Sequence, residues 1–297
     1  MTARAPLFTP VLIAGCLIIM AGFAVRASFG VFQIPVAAEF GWARSEFSLA
    51  IAIQNLAWGI GQPLFGAVAE KFGDRRAIIL GGLFYAVGLV ASSYAVTPGA
   101  HQLLAILVGF GIAGMGFGVI LAVVGRAASA ENRSLALGIA TAAGSAGQVV
   151  GPPAAEFLLG FYTWQTVFMM FAAVVLLALF ALPMMRAPER ASRAELEESM
   201  GTVLLRAFRD PSFTLIFVGF FSCGYQLAFI TAHFPAFVTE MCGAIDPSGT
   251  LAAIGVTSTS TLGAVSIAVI GLANIVGSIT ARWLGRYSSK KYLLAAI

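Results

Sequence analysis

Long apolar blocks, broken by short polar stretches, divide the chain at 10–35, 45–68, 77–96, 102–124, 134–158, 163–185, 212–238 and 261–283. A ninth opens at YLLAAI, residues 292–297. Each full block is close to the ~20 residues that an α-helix needs to cross a bilayer's hydrocarbon core. The pattern predicts an all-α, polytopic membrane bundle. Six helices precede a longer polar segment, RAPERASRAELEESMGTVLLRAFRD (186–210), and the rest follow it. The expected organisation is a six-helix bundle over 1–185, a linker over 186–210, and the start of a second bundle over 211–297. That second half, with helices 7 and 8 and the beginning of 9, is incomplete in this chain; whether the chain is a truncated form lacking helices 9–12, and therefore inactive, stays open.

Composition agrees with this solvent. Of 297 residues, 59% are hydrophobic and 10% charged, against about 25% charged in soluble domains. A sequence pI near 9.2 raises nucleic acid as a partner, but no soluble basic domain carries the charge. Membrane topology explains it better. With the spans alternating, Arg4, Lys71, Arg75, Arg76, Arg126, Arg133, the five arginines of 186–209, Arg282, Arg286, Lys290 and Lys291 share one side, which makes 15 of the 17 basic residues. Such an excess marks the cytoplasmic face, so the N-terminus and the linker are expected there. Arg44 lies on the opposite side, and Arg26 lies within the membrane. A cleaved signal peptide over 1–28 is disfavoured, because the apolar run outlasts an h-region of 7–15 residues.

Little conventional chemistry is written in the chain. Cys16 and Cys223 fall inside spans and Cys242 in a loop, an odd set that argues against a disulfide. His101 and His233 do not form a metal-ligand spacing, and no phosphate loop or nucleophile elbow is present. No cofactor, metal or enzymatic activity is expected.

An internal repeat carries more information. At a shift of 200 residues Pro35 meets Pro235, Phe29 meets Phe229, Arg26 meets Gln226 and Gln33 meets His233. At a shift of 216, Glu70 meets Arg286, Gly61 meets Gly277 and Trp58 meets Asn274. The difference is about the length of IDPSGTLAAIGVTSTS (245–260), an enlarged loop. Parallel six-helix repeats are the architecture of major facilitator transporters.

Local motifs carry the resemblance further. GAVAEKFGDRR (66–76), between spans two and three, resembles the major facilitator loop motif, with Glu70 where Asp is usual. The resemblance implies conformational gating by Gly66, Glu70, Gly73, Arg75 and Arg76, the acid accepting from free N–H groups at a helix start. GQVVGPP (147–153) is similar to the Gly-x-x-x-Gly-Pro motif found in antiporters of the superfamily, with Gly147 and Gly151 allowing close helix contact and Pro152 bending the helix. The arginine common in the fourth span is absent. More narrowly, RASFGVFQIP and EFGWARSEFSLAIAIQNLAWGIGQP resemble bacterial relatives of monocarboxylate transporters and oxalate/formate antiporters, in which a lysine matches Arg26. This implies a multi-pass protein of the bacterial inner (plasma) membrane, working by symport or antiport with a coupling proton or counter-anion. The Asp/Arg pair of their eighth helix has no match in GLANIVGSITARW, which offers Asn274 and Ser278.

A central arginine costs about 2.5–3.5 kcal/mol on insertion scales, so Arg26 is expected to face a cavity or a partner. Helical spacing puts Gly22, Arg26, Phe29 and Gln33 on one face. The repeat supplies Ser222, Gln226, Phe229 and His233. Gln54, Asn55, Trp58 and Gln62 line one side of helix two, and Thr141, Ser145 and Gln148 one side of helix five. The expected substrate contacts are Arg26, Phe29, Gln33, Gln54, Asn55, Trp58, Gln226 and His233. One fixed cation in a neutral polar cleft suits a small organic anion, monocarboxylates favoured, because guanidinium grips carboxylate bidentately. Three alternatives stay open. Arg26 pairs with Glu156 and is structural. The protein exports larger amphiphilic compounds. Or it is a transporter-like receptor.

Overall fold

The computed structural model describes residues 6–186 and 200–284. Every regular element among them is helical. Thr9 caps the first helix by accepting from Leu12 N at 3.2 Å, with Pro10 at the first helical position, where its missing N–H is not needed. Helix α1 (Pro10–Ser28) passes through a 3₁₀ turn (Phe29–Phe32) into α2 (Gln33–Phe40), so one span runs 31 residues. This extends the expected 10–35 and changes its geometry. Helix α3 (Arg44–Phe72) follows, then α4 (Asp74–Ser92), and then α5 (Pro98–Met115) and α6 (Phe117–Ala127), which form one span broken at Gly116. Next come α7 (Arg133–Leu159) and α8 (Trp164–Ala178), the latter continued by a 3₁₀ turn to Met184. After residue 199 lie α9 (Met200–Arg209), α10 (Pro211–Met241), the short α11 (Thr250–Ala253) and α12 (Thr259–Leu284).

The expected block boundaries agree with these helices to within a few residues. The largest differences, of four or five residues, are α2's extension to Phe40, the ends of α3 at Phe72 and α4 at Ser92, and the start of α5 at Pro98. The ninth block and most of the linker lie outside the described residues. Seven helices among the described residues are long and apolar enough to cross a membrane. Helix α3, with 29 residues, is as long but less apolar, because Gln54, Asn55 and Gln62 interrupt it.

The connection between α3 and α4 is a single residue, Gly73, with φ +94°. That backbone region strains any side chain with a Cβ, so glycine is required there. We name the two ends of the bundle after their turns: the Gly73 end, and the opposite Gly41 end, where Gly41 (φ +65°) closes α2.

Helix α7 lies along α1 with backbones in contact. A Cβ on Gly147 would collide with the Met20 carbonyl, and one on Gly151 with the Ala24 carbonyl. Pro152 and Pro153 sit inside α7 without ending it. The core fills with Leu12, Ile18, Phe32, Phe47, Ile78, Tyr85, Ile120 and Phe168. Tyr85 donates its hydroxyl to the Gly22 carbonyl at 3.0 Å, which satisfies a buried polar group in an otherwise apolar interior.

Helices α10 and α12 join this bundle chiefly through α7, the Phe29–Phe32 turn and each other. The buried residues of α10 are confined to 231–238, near the Gly41 end. There Gly30 lies against the Thr231 and Ala232 carbonyls, and Arg44 pairs with Glu240. Toward the Gly73 end α10 is exposed.

Candidate functional site

Arg26 lies two residues before α1 ends, 5% exposed. One terminal nitrogen donates to Asn55 Oδ1 at 3.2 Å. Asn55 is itself anchored, donating to the Ile51 carbonyl at 2.8 Å. The guanidinium carbon stands 4.7 Å from the Trp58 ring centre and 5.9 Å from that of Phe23. Both distances fall within cation–π range. Nε is buried without a hydrogen-bond partner. Among the described residues no carboxylate lies within ion-pair distance of Arg26. Glu156, the expected structural counter-ion, instead lines a separate cavity with Gly30, Pro35 and Pro235. It sits three residues before α7 ends at Leu159, at the Gly41 end.

Arg26 borders a cavity of about 560 Å³ between α1, α6, α7 and α12. Phe23, Phe117, Thr141, Ser145 and Gln148 form one wall, and Asn274 and Ser278 the other. Gln148 is 6% exposed, and its Nε2 has no hydrogen-bond partner. Arg26 and Gln148, each with a buried unpartnered donor and one of them cationic, therefore line the same space. Leaving a buried donor unpaired costs about 1–3 kcal/mol, more for a charged group. A negatively charged acceptor that reached both donors would relieve that cost.

The other expected contacts divide. Asn55 and Trp58, with Gln62, Tyr225, Phe229 and His233, line a larger space of about 960 Å³ between α3 and α10. His233 packs its ring on Phe229 at 4.8 Å. Phe29 does not share an open face with Arg26, because the 3₁₀ turn rotates it onto Phe168 at 5.8 Å. It reaches Arg26 across a small internal void also bordered by Gln54. Gln33 is buried and donates to Ser48 Oγ at 2.5 Å. Gln226 is exposed and lines neither of the two larger cavities. The repeat relation with Arg26 therefore does not place it opposite the guanidinium. Helix α10 runs unbroken where the first repeat has its 3₁₀ turn, so equal spacing no longer gives equal facing.

Sequence reasoning passed over Phe23, although it sits three residues before Arg26 and therefore on the same helix side.

At the Gly73 end, the acid that opens α4 is Asp74. Glu70 falls in the last turn of α3, two residues before that helix ends at Phe72. Asp74 pairs with Arg126. Arg75 donates to the carbonyls of Pro183 at 2.8 Å and Met185 at 3.3 Å, tying the turn to the end of the sixth span. Arg76 is exposed, and Gly66 has open space where a Cβ would stand.

This helical architecture, with seven helices among the described residues long and apolar enough to cross a membrane, is that of a multi-pass integral membrane protein. The sequence profile of the Major Facilitator Superfamily matches residues 14–297. The chain belongs to that superfamily. Among curated relatives, it is 33% identical to monocarboxylate transporter 13 of Bos taurus over 156 residues, covering 52% of this chain and 36% of that protein. It is 27% identical to the uncharacterized MFS-type transporter YcxA of Bacillus subtilis over 221 residues, covering 70% and 52%. The chain thus spans about half or less of the curated relatives it matches. The xylose transporter XylE from E. coli, in a partially occluded inward-open conformation, superposes with a TM-score of 0.60 at 15% identity, covering 94% of this chain and 73% of that one. That likeness shows the fold.

Proposed function

We propose that the protein is a secondary active transporter of a small organic anion, monocarboxylates favoured, working by alternating access. One observation carries this reading: the buried Arg26 guanidinium, with no carboxylate partner among the described residues, faces a cavity beside a second unpartnered donor, Gln148. A carboxylate matches that demand in charge, and its two oxygens suit the planar guanidinium. Similarity to a protein named as a monocarboxylate transporter supports the same class.

In this reading Arg26 anchors the carboxylate, Gln148 donates to it, and Asn55 and Trp58 hold the guanidinium. Gly66, Glu70, Gly73, Arg75 and Arg76 form the conformational gate at the Gly73 end. The gate faces the cytoplasm, because Lys71, Arg75, Arg76, Arg126 and Arg133 cluster there. The membrane is the bacterial inner membrane, and a proton or counter-anion accompanies the substrate. The helices divide as 1–185 and 211–297 about the linker at 186–210. A second reading, export of larger amphiphilic compounds, is favoured by the 960 Å³ space lined with Tyr225, Phe229 and other aromatic rings.

Ligand-induced thermal shifts with a panel of carboxylates, paired with uptake into liposomes, test the proposal. Wild type should be stabilised by a monocarboxylate. Arg26→Gln should lose that shift while staying folded, and its stability without ligand should not fall, because an expensive buried charge is gone. Arg26→Lys should keep a weaker shift, since the point charge loses the planar fork. A normal carboxylate shift in Arg26→Gln rejects the anchor. A shift produced by amphiphilic aromatic compounds alone, unaltered in Arg26→Gln, supports export instead.

A further inference from the structure

Helix α9 has no place in the transport cycle just described, yet its sequence is strongly two-sided. At 3.6 residues per turn, Val203, Leu204, Leu205, Ala207 and Phe208 fall on one broad arc. Thr202, Arg206 and Arg209 fall on the other. The four large apolar side chains are 41–55% exposed. Phe208 packs edge-on to Phe213 and Phe217 at 5.4 and 5.1 Å, which fixes α9 against the first turns of α10. The junction is sharp: Asp210 leaves helical geometry and caps α10, accepting from Ser212 N at 2.8 Å. That carboxylate is thereby occupied by a helix N-terminus.

The apolar arc of α9 is continuous with the exposed apolar surface of α10's opening turns, Phe213, Leu215, Ile216 and Phe217, in a helix that crosses the membrane. A helix at that depth with one apolar arc and one arginine-bearing arc matches a bilayer interface in both polarity and charge. We propose that α9 is an interfacial helix that lies in the leaflet at the Gly73 end, its apolar arc in the acyl boundary and Arg209 on anionic phospholipid headgroups.

Nitroxide labels at Leu204 and Thr202, each in the full chain freed of native cysteines, test this in phosphatidylcholine vesicles with and without phosphatidylglycerol. In the anionic vesicles the Leu204 label should meet oxygen in preference to an aqueous nickel complex, and the Thr202 label the reverse. Arg209→Gln, or removal of phosphatidylglycerol, should lower the ratio of bound to free helix about fivefold per lost contact. Equal access to nickel at both positions overturns the proposal. Shielding of Leu204 from both reagents also overturns it and indicates a protein partner. An identical oxygen preference without phosphatidylglycerol overturns the headgroup assignment.

Discussion

Arg26 and Gln148 stand on different helices, and each leaves a donor unpaired where water is scarce. If both bind the same carboxylate, their losses should differ in kind. Arg26 supplies charge, so its replacement abolishes recognition. Gln148 supplies one hydrogen bond to a charged acceptor, worth about 1.5–3 kcal/mol. Gln148→Leu should therefore weaken ligand affinity by roughly 10- to 100-fold, measured by titration calorimetry on the reconstituted protein. Binding unchanged in that variant would remove Gln148 from the site without touching Arg26. The sequence showed both residues, but not that they share a cavity. A helical face read from spacing says which side a residue occupies, not what stands across from it. Gln226 illustrates the gap: it matches Arg26 in the repeat and is exposed in the fold.

Helix α7 packs on α1 with backbones in contact, built on Gly147 and Gly151 beneath the carbonyls of Met20 and Ala24. Without a hydrophobic force between helices in lipid, association depends on close backbone approach and packing. Gly151→Leu should push the helices apart and destabilise the bundle by on the order of 1–3 kcal/mol, read as a lower unfolding midpoint in detergent. Gly66→Ala, where nothing lies near the added Cβ, should leave that midpoint unchanged. The Gly-x-x-x-Gly-Pro stretch announced a close contact in the sequence. Its partner, α1, is chosen by the packing.

At the scale of the molecule, the described residues of α10 meet the first six spans at the Gly41 end and are exposed toward the Gly73 end. Contacts there include the Gly30 approach to α10 and the Arg44–Glu240 pair. The pair is part-exposed, and such bridges contribute about 0.2–1 kcal/mol. Glu240→Gln should therefore shift the balance of open and closed states by at most about fivefold. Spin labels at Ala43→Cys and native Cys242, with Cys16 and Cys223 replaced, would read this as a growing long-distance population. An unchanged distance distribution would mean that packing around Gly30, not the ion pair, holds this end shut.

The apolar blocks alone determined that this chain spans a membrane with helices and where nearly all of them run. In hydrocarbon every backbone N–H and C=O must be satisfied internally, so a block of sufficient length has one structural answer. The cost of burying a charge likewise singled out Arg26 before any fold was known. What the tertiary structure decided is which side chains meet. The 3₁₀ turn at Phe29–Phe32 sends Phe29 to Phe168, the Gly73 turn gives the α4 start to Asp74, and Arg75 finds carbonyls in a distant span. Each depends on helix rotation and on the approach of residues far apart in the chain. Local periodicity leaves those free, and close packing between helices fixes them.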